Sequence, residues 1–276
     1  MKTLLTRSIS GIIFVSLVVF CLLTDENIML ALFGLLSAIG LYEYHLLFSS
    51  QKRFNYPAIL SSIFGVLCFI LMMEPLVYEN ETGLVGITHS ILHLTITILL
   101  FGVIQLVYKR KELLSNTLFL LSGLIYIVIP LYMGAILHWQ DQGAFPILLG
   151  IFLLVWTNDT FAYICGNLFG KHKLIVSISP NKTWEGSIGG FLFTVLVGFI
   201  IDSYLFQGNY FWIIAAILVS PAAVIGDLFE SALKRKNNVK DTGNIMPGHG
   251  GILDRFDAMF FAIPFFYIWH VIYTFI

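Results

Sequence analysis

The chain has 276 residues, of which 58% are hydrophobic and 11% are charged, and its mean hydropathy is +0.89. A soluble domain carries about 25% charged residues, so this composition excludes an ordinary soluble protein. The apolar runs are long and continuous, which also excludes a β-barrel. The net charge of −1 says little by itself, and no nucleic-acid partner is expected. We therefore predict an all-α, polytopic integral membrane protein.

Hydropathy predicts about nine membrane-spanning helices. They cover residues 8–23, 28–48, 57–73, 87–107, 117–137, 146–169, 186–206, 210–230 and 256–275. A crossing helix needs about 20 residues, with about 17 at the lower end, so the first and third spans are short. The N-terminus resembles a signal peptide, but no small-x-small cleavage site follows it, and we interpret it as a retained helix.

We divide the chain into residues 1–145, with spans one to five, and residues 146–276, with spans six to nine. The second part includes the polar loops 170–185 and 231–255 and is expected to be the catalytic region. No repeat or linker marks a separate soluble domain, so both parts are expected to form one integral membrane unit. The three cysteines stand alone in apolar runs and predict neither a disulfide framework nor a metal cluster.

The distribution of cations predicts the orientation of the chain. If the N-terminus is cytoplasmic, all fifteen Lys and Arg residues fall in segments on the cytoplasmic side, and the outer connections and the C-terminus hold none. The positive-inside rule then predicts a cytoplasmic N-terminus, an outer C-terminus and an odd number of spans. Both polar loops would face the cytoplasm, in an inner or plasma membrane.

Asp159, Glu43 and Asp202 are carboxylates inside three different predicted spans. Asp159, in the sixth span, is a functional candidate because an ionisable group in a membrane is costly without a partner or a polar cavity. A hydrogen-bonded Asp that only joins helices is the structural alternative. Glu43 and Asp202 lie near the ends of spans two and seven, where snorkelling to the membrane surface is a sufficient explanation.

The end of the eighth span carries a second acidic group. Asp227, Glu230 and Lys234 are spaced three and four residues apart and therefore share one helix face. Glu230 and Lys234 predict an ordinary ion pair, but Asp227 lies a turn deeper and is best satisfied by a metal or another cation. Pro221 and Gly226 just before it would let the helix bend or open.

Two helix starts are predicted beside the polar loops. Ser179 suits an N-cap and Pro180 the first helical position, which would make a phosphate-binding helix end with Lys182 beside it. Asp254 and Asp257 suit an N-cap and the third position of the last span, in a variant of the capping box. A capping carboxylate could still bind a metal through its other oxygen.

Residues 231–257, SALKRKNNVKDTGNIMPGHGGILDRFD, are the longest polar stretch of the chain. Their cations suit phosphate oxygens, their carboxylates suit Mg²⁺, and their glycines allow close backbone contact, which together fit a metal-bound polyphosphate. His249, between glycines, could donate to a phosphate or to leaving pyrophosphate. A solvated cytoplasmic loop would explain the charges alone, but not the whole arrangement.

This stretch resembles the signature of phosphatidate cytidylyltransferases, also called CDP-diacylglycerol synthases. The pattern is Ser-x-apolar-Lys-Arg, four residues, Lys-Asp-x-small, two residues, apolar-(Pro or Gly)-x-His-Gly-Gly-apolar-x-Asp-Arg-apolar-Asp, and it is met from Ser231 to Asp257. The segments NDTFAYICGNLFGKHKL (158–174) and SPNKTWEGSIGG (179–190) also resemble the family. In the first 145 residues the likeness is one of hydropathy and length only.

The resemblance implies a Mg²⁺-dependent transfer from CTP to phosphatidate, with K⁺ as a possible second cation and a homodimer as a possible assembly. It implies that Asp227 and Asp254 are the ligands of the catalytic metal, and Asp257 matches another acidic position of the signature, near the substrate. We expect all three to be catalytic, together with Lys182 and His249. The expected substrate-binding residues are Ser231, Lys234, Arg235, Lys240, Asp241, Arg255, Asp159, Asn181 and Glu185.

Other functions remain open at this point. A CTP-dependent polyprenol or lipid kinase and a CDP-archaeol synthase also combine many spans with a basic cytoplasmic loop. An ion-coupled transporter built around Asp159 and Asp227 belongs to a different class. A transporter site is expected near the midplane between repeated halves, whereas these polar residues cluster at one face and no repeat is visible.

Overall fold

The computed structural model describes residues 2–48, 56–78, 84–107, 113–140, 145–205, 209–245 and 250–275. Ten α-helices follow one another within these residues: α1 Lys2–Leu23, α2 Glu26–Phe48, α3 Tyr56–Tyr78, α4 Leu84–Val107, α5 Leu113–Gly123, α6 Ile129–Trp139, α7 Ile147–Phe169, α8 Trp184–Leu205, α9 Phe211–Lys236 and α10 Leu253–Thr274. A π-helical turn, Leu124–Val128, joins α5 to α6. Strands β1 Lys173–Ile175 and β2 Ser179–Thr183 lie between α7 and α8.

Each predicted span falls on a helix, and the prediction of an all-α, polytopic membrane protein is confirmed. Within the described residues, seven helical segments are long and apolar enough to cross a membrane. The π-helical turn belongs to one of them, Asn116–Trp139. The described parts of α1 and α4 hold shorter apolar stretches, Ile9–Leu23 and Ile91–Ile104. The number of nine crossings therefore stays a prediction.

The helix start predicted at Ser179 and Pro180 is wrong. Residues 179–183 form β2, which pairs antiparallel with β1 through Lys173 opposite Thr183. Helix α8 begins at Trp184, where the Thr183 hydroxyl oxygen accepts the N–H of Gly186 at 3.1 Å. Thr183 thus acts as the N-cap, and the pairing of the strands satisfies backbone groups that a helix would otherwise have used.

The chain forms two compact units. The first unit consists of Met1–Ile136 and Asp241–Leu253, and the second consists of Leu137–Lys240 and Asp254–Ile276. In the first unit, α2 packs on α3 and α3 on α4, around buried residues such as Phe33, Leu41 and Phe101. In the second unit, α8 packs on both α7 and α9.

Glycines determine how closely the helices of the second unit approach. A Cβ added at Gly186 would lie 2.6 Å from the Ala162 carbonyl oxygen, and one at Gly190 would lie 2.7 Å from that of Asn158. Both contacts join α8 to α7, and small residues are the usual means of such close packing between membrane helices. The run Gly-Ser-Ile-Gly-Gly at 186–190 is therefore explained by helix packing.

Helix α9 runs without interruption through Pro221 and Gly226 from Phe211 to Lys236. A Cβ at Gly226 would lie 2.5 Å from the Asp257 carbonyl oxygen, so the missing side chain admits α10. The sequence predicts that the eighth span bends or opens near Gly226. In the structure the helix is continuous there, and Gly226 instead allows close packing against α10.

Snorkelling is the wrong explanation for Glu43 and Asp202, because both residues are buried in the protein. Asp202 accepts the backbone N–H groups of Tyr210 at 2.7 Å and Trp212 at 3.1 Å, and so caps the start of α9. Glu43 accepts the N–H of Leu253, the first residue of α10, at 2.9 Å. Asp254 therefore lies inside the first turn of α10, and its predicted N-cap position is wrong.

Candidate active site

Residues from β2, α9, α10 and α7 form a charged cluster in the second unit. At its exposed side, the Lys182 ammonium lies 2.6 Å from an Asp227 carboxylate oxygen, with the two side chains about a quarter and a third exposed. The other Asp227 oxygen accepts the Ser231 hydroxyl at 3.2 Å, one turn along α9. The cation beside Asp227 is thus Lys182 of strand β2, and it does not come from α9 itself.

The buried side of the cluster is a lysine bridge between two carboxylates. The Lys234 ammonium donates to Glu230 at 2.6 Å and to Asp254 at 2.7 Å. All three residues are buried, with Glu230 fully inaccessible. A buried charge is tolerated only when it is paired with an opposite charge. Through its bond to Asp254, Lys234 links the end of α9 to the start of α10.

Asp257, one helical turn after Asp254, lies within electrostatic range of Asp227, Glu230 and Asp159. Asp159 in turn interacts with Lys182, Asp227 and the exposed Arg255. Carboxylates outnumber cations among these residues. An acidic excess beside accessible cations favours a ligand that carries both a metal ion and phosphate groups.

Comparison with known proteins agrees with this chemistry. A family model described as "Cytidylyltransferase family" matches residues 5–273. The chain belongs to this family. A phosphatidate cytidylyltransferase of Staphylococcus saprophyticus is 34% identical over 261 residues, which cover 94% of this chain and 95% of the relative. One from Rickettsia bellii is 36% identical over 240 residues, 83% of this chain and 96% of the relative.

The family predicted from the signature is thereby confirmed, and the likeness extends well beyond it. The match includes nearly all of the first 145 residues, where the sequence alone had shown similarity only in hydropathy and length. The likeness to the family therefore includes nearly all of the first unit.

Other predicted site residues have different surroundings. The Arg235 guanidinium donates to the backbone carbonyls of Ile178, in the turn between β1 and β2, at 3.4 Å and of Val239 at 3.1 Å. Glu185 accepts the backbone N–H groups of Lys171 and His172 at 3.1–3.2 Å, and the His172 ring lies 2.6 Å away. Both residues stabilise the hairpin and its entry, and their substrate contacts stay predictions.

The remaining predicted residues are exposed or undescribed. Asn181 and Lys240 are exposed in the second unit, and Asp241 is exposed in the first. His249 lies outside the described residues.

Asp227 and Asp254 each pair with a lysine. In the part of the chain that the structure describes, no group of three or more His, Cys, Asp or Glu side chains is placed to hold a metal ion. Mg²⁺ is commonly bound by one or two carboxylates together with water and substrate phosphates. The oxygen donors of this cluster fit that mode of binding.

The spacing of Glu230 and Lys234 predicts an ion pair, which the structure confirms at 2.6 Å. Local spacing gives no sign that Asp254 is the second partner of Lys234, or that Lys182 is the partner of Asp227. These partners are 20 and 45 residues apart in the chain, so no helical spacing could have indicated them.

Proposed function

We propose that the chain is a phosphatidate cytidylyltransferase, which converts CTP and phosphatidate to CDP-diacylglycerol and diphosphate in phospholipid biosynthesis. The observation that carries this proposal is the charged cluster, in which signature residues of α9 and α10 meet Lys182 and Asp159. The names of the relatives support the same reaction.

In the proposed reaction, a phosphate oxygen of phosphatidate attacks the α-phosphorus of CTP. A new phosphorus–oxygen bond forms, the bond to the β-phosphate oxygen breaks, and diphosphate leaves. Positioning and charge neutralisation supply most of the catalysis in such transfers, and no covalent protein nucleophile is required.

We assign Lys182 or Arg255 to the lipid phosphate, because both cations interact with the exposed part of the cluster. We assign Lys234, Arg235 and Lys240 to the triphosphate, with His249 at the departing diphosphate. Lys182 and Lys234 already pair with carboxylates, so substrate phosphates would compete with Asp227 and Asp254 for these ammonium groups.

Asp227 and Asp254 are the proposed metal ligands, with Asp257 close to the substrate. Mg²⁺ bound there would neutralise phosphate charge and make the α-phosphorus more electrophilic. Lys182 and Lys234 would then turn from Asp227 and Asp254 towards phosphate oxygens. K⁺ is the proposed second cation, by resemblance to the family.

An apolar groove in the second unit is the proposed site for one acyl chain of phosphatidate. Its volume is about 450 Å³, and its lining comes from the hairpin, α8 and α9. Trp184 and Leu228 belong to that lining, and each lies within two residues of the Lys182–Asp227 ion pair. A lipid with its phosphate at Lys182 could therefore extend its chain along this groove.

We further propose nine crossings of an inner or plasma membrane, with a cytoplasmic N-terminus, an outer C-terminus and the active site on the cytoplasmic face. The one-sided distribution of cations supports this orientation. A homodimer is proposed by resemblance to the family, and its mass in detergent, measured by light scattering, would test it.

The reaction is tested by the fate of labelled CTP. The purified protein receives phosphatidate, Mg²⁺, K⁺ and CTP labelled in either the α- or the γ-phosphate. Attack at the α-phosphorus carries the α-label into lipid and leaves the γ-label in diphosphate.

Rival functions give different patterns in the same experiment. A lipid kinase, supplied with a prenol or lipid alcohol, would place the γ-label in lipid, and a transporter would move no label between chemical fractions. A CDP-archaeol synthase would show the α-label pattern only with an unsaturated ether lipid. Either γ-label in lipid, or no transfer by a folded preparation, contradicts the proposed function.

A further inference from the structure

Glu43 of α2 binds both ends of a signature segment in the first unit. Its side chain is buried, and one carboxylate oxygen accepts the Leu253 N–H at 2.9 Å and the Thr242 hydroxyl at 3.3 Å. These partners stand about 200 residues later in the chain, at the two ends of segment 242–253. Leu253 immediately precedes Asp254, a proposed metal ligand.

Two glycines of the segment leave room for this carboxylate. A Cβ added at Gly243 would collide with a Glu43 oxygen and lie 2.9 Å from its carboxyl carbon. A Cβ at Gly251 would lie 2.5 Å from a Glu43 oxygen. The small residue that the signature has at position 243 is thus explained by contact with Glu43. Gly243 has no positive φ, so its backbone would accept alanine.

We propose that Glu43 is a positioning residue for catalysis: it fixes the peptide before Asp254 by binding Leu253, Thr242 and the surfaces of Gly243 and Gly251. The proposal rests on the proposed function, since it concerns the same reaction. Glu43 acts through the segment it binds. Because small displacements of catalytic groups cost rate, a loosened Leu253 should lower kcat and leave the KM for CTP unchanged.

A double-mutant cycle tests the proposal. Glu43→Ala removes a charged hydrogen-bond acceptor and should lower kcat about ten- to a hundredfold. Gly243→Ala should lower kcat in the same way by displacing the carboxylate. In the Glu43→Ala background the added methyl meets mainly the Gly251 backbone at 3.3 Å, so the two losses should be strongly non-additive. Fully additive losses would contradict the proposal.

Hydrogen exchange gives a readout that does not depend on activity. The Leu253 amide should exchange about ten- to a hundredfold faster in Glu43→Ala than in the wild type, because it loses its acceptor. Glu43→Gln retains a carbonyl oxygen as acceptor and should restore most of both kcat and protection. This variant and Gly243→Ala keep the test valid if Glu43→Ala fails to fold.

Asp202→Ala is the matched control, because Asp202 is another buried carboxylate that accepts N–H groups at a helix start. It should lower thermal stability while leaving the kcat of the folded fraction and the exchange of Leu253 unchanged. Unchanged Leu253 exchange in Glu43→Ala, or an equal kcat loss in the control, would overturn the role of Glu43. Absence of lipid labelling by the wild type would instead overturn the proposed function, and exchange would still decide whether Glu43 holds the segment.

Discussion

The ammonium of Lys234 connects two helices through a pair of buried carboxylates. A buried charge loses its hydration, and only the close oxygens of Glu230 and Asp254, at 2.6 and 2.7 Å, compensate for that loss. The Lys182–Asp227 pair has the same length but is partly exposed, so solvent weakens its contribution. Two ion pairs of equal geometry are therefore expected to differ in their effect on stability.

This difference gives a prediction for Asp227 and Asp254. Both Asp227→Asn and Asp254→Asn should abolish lipid labelling, because each removes a proposed metal ligand. Asp254→Asn should also lower the free energy of unfolding by about 1.5–3 kcal/mol, because a buried lysine loses a charged acceptor. Asp227→Asn should cost less than about 1 kcal/mol. Thermal unfolding in detergent and turnover at saturating Mg²⁺ measure the two effects.

Near wild-type turnover by either variant at saturating Mg²⁺ would show that the altered residue is not a metal ligand. Equal destabilisation by both variants would contradict the distinction between the exposed and the buried ion pair.

The interactions of single residues could be predicted from the sequence only where the partners are a few residues apart in the chain. The Glu230–Lys234 pair follows from one turn of helix, and Asp227 was identified by its depth in an apolar span. Snorkelling is what the sequence predicts for Glu43, because its hydrogen-bond partners lie about 200 residues away in the chain. Only the folded chain shows that its carboxylate has internal donors.

At the scale of elements, the hairpin between α7 and α8 shows where local signals mislead. Ser-Pro at 179–180 is a common helix start, yet the same residues begin β2 and the cap is Thr183. Strands of three and five residues are too short for a recognisable alternation. The long apolar helices, in contrast, follow directly from hydropathy.

The close packing of α7 and α8 gives a prediction for Gly186. Gly186→Ala places a methyl group against the Ala162 carbonyl, a backbone group that cannot turn aside, and should destabilise the protein by about 1–3 kcal/mol. Gly102→Ala in α4 is the control, because its Cβ would meet nothing within 4 Å. The melting temperatures of the two variants in detergent provide the comparison. A Gly186→Ala protein as stable as the control would refute the close contact.

At the scale of the whole molecule, the second unit brings the hairpin loop to the end of α9, where the second polar loop begins. Lys182 contacts Asp227, and Arg235 reaches the hairpin turn at Ile178, so residues 170–185 lie beside the end of α9. The distribution of cations likewise predicts that both loops lie on the same side of the membrane. The side of the membrane on which that end lies is a prediction from charge alone.

Single cysteines test that orientation. Asn238→Cys and Gln142→Cys, each in a background without the three native cysteines, should react with an impermeant thiol reagent from opposite sides of the membrane. Asn238→Cys should react only when the cytoplasmic face is accessible, because loops rich in Lys and Arg stay inside. Reaction of both positions from the same side would overturn the orientation and the placement of the active site.

The hydrogen bonds of Glu43 also determine what can be exchanged between relatives. The stretch 231–257 is contiguous and carries most of the motif, which suggests that it could be transferred between relatives as one segment. Yet Thr242, Gly243 and Leu253 are fitted to a side chain of α2. Consider a chimaera that takes α2 from one relative and the C-terminal half from another. Its segment 242–253 keeps its hydrogen-bond acceptor only if the α2 that it receives has a carboxylate at the position of Glu43. The segments that must be exchanged together, α2 and the stretch 231–257, are therefore far apart in the sequence.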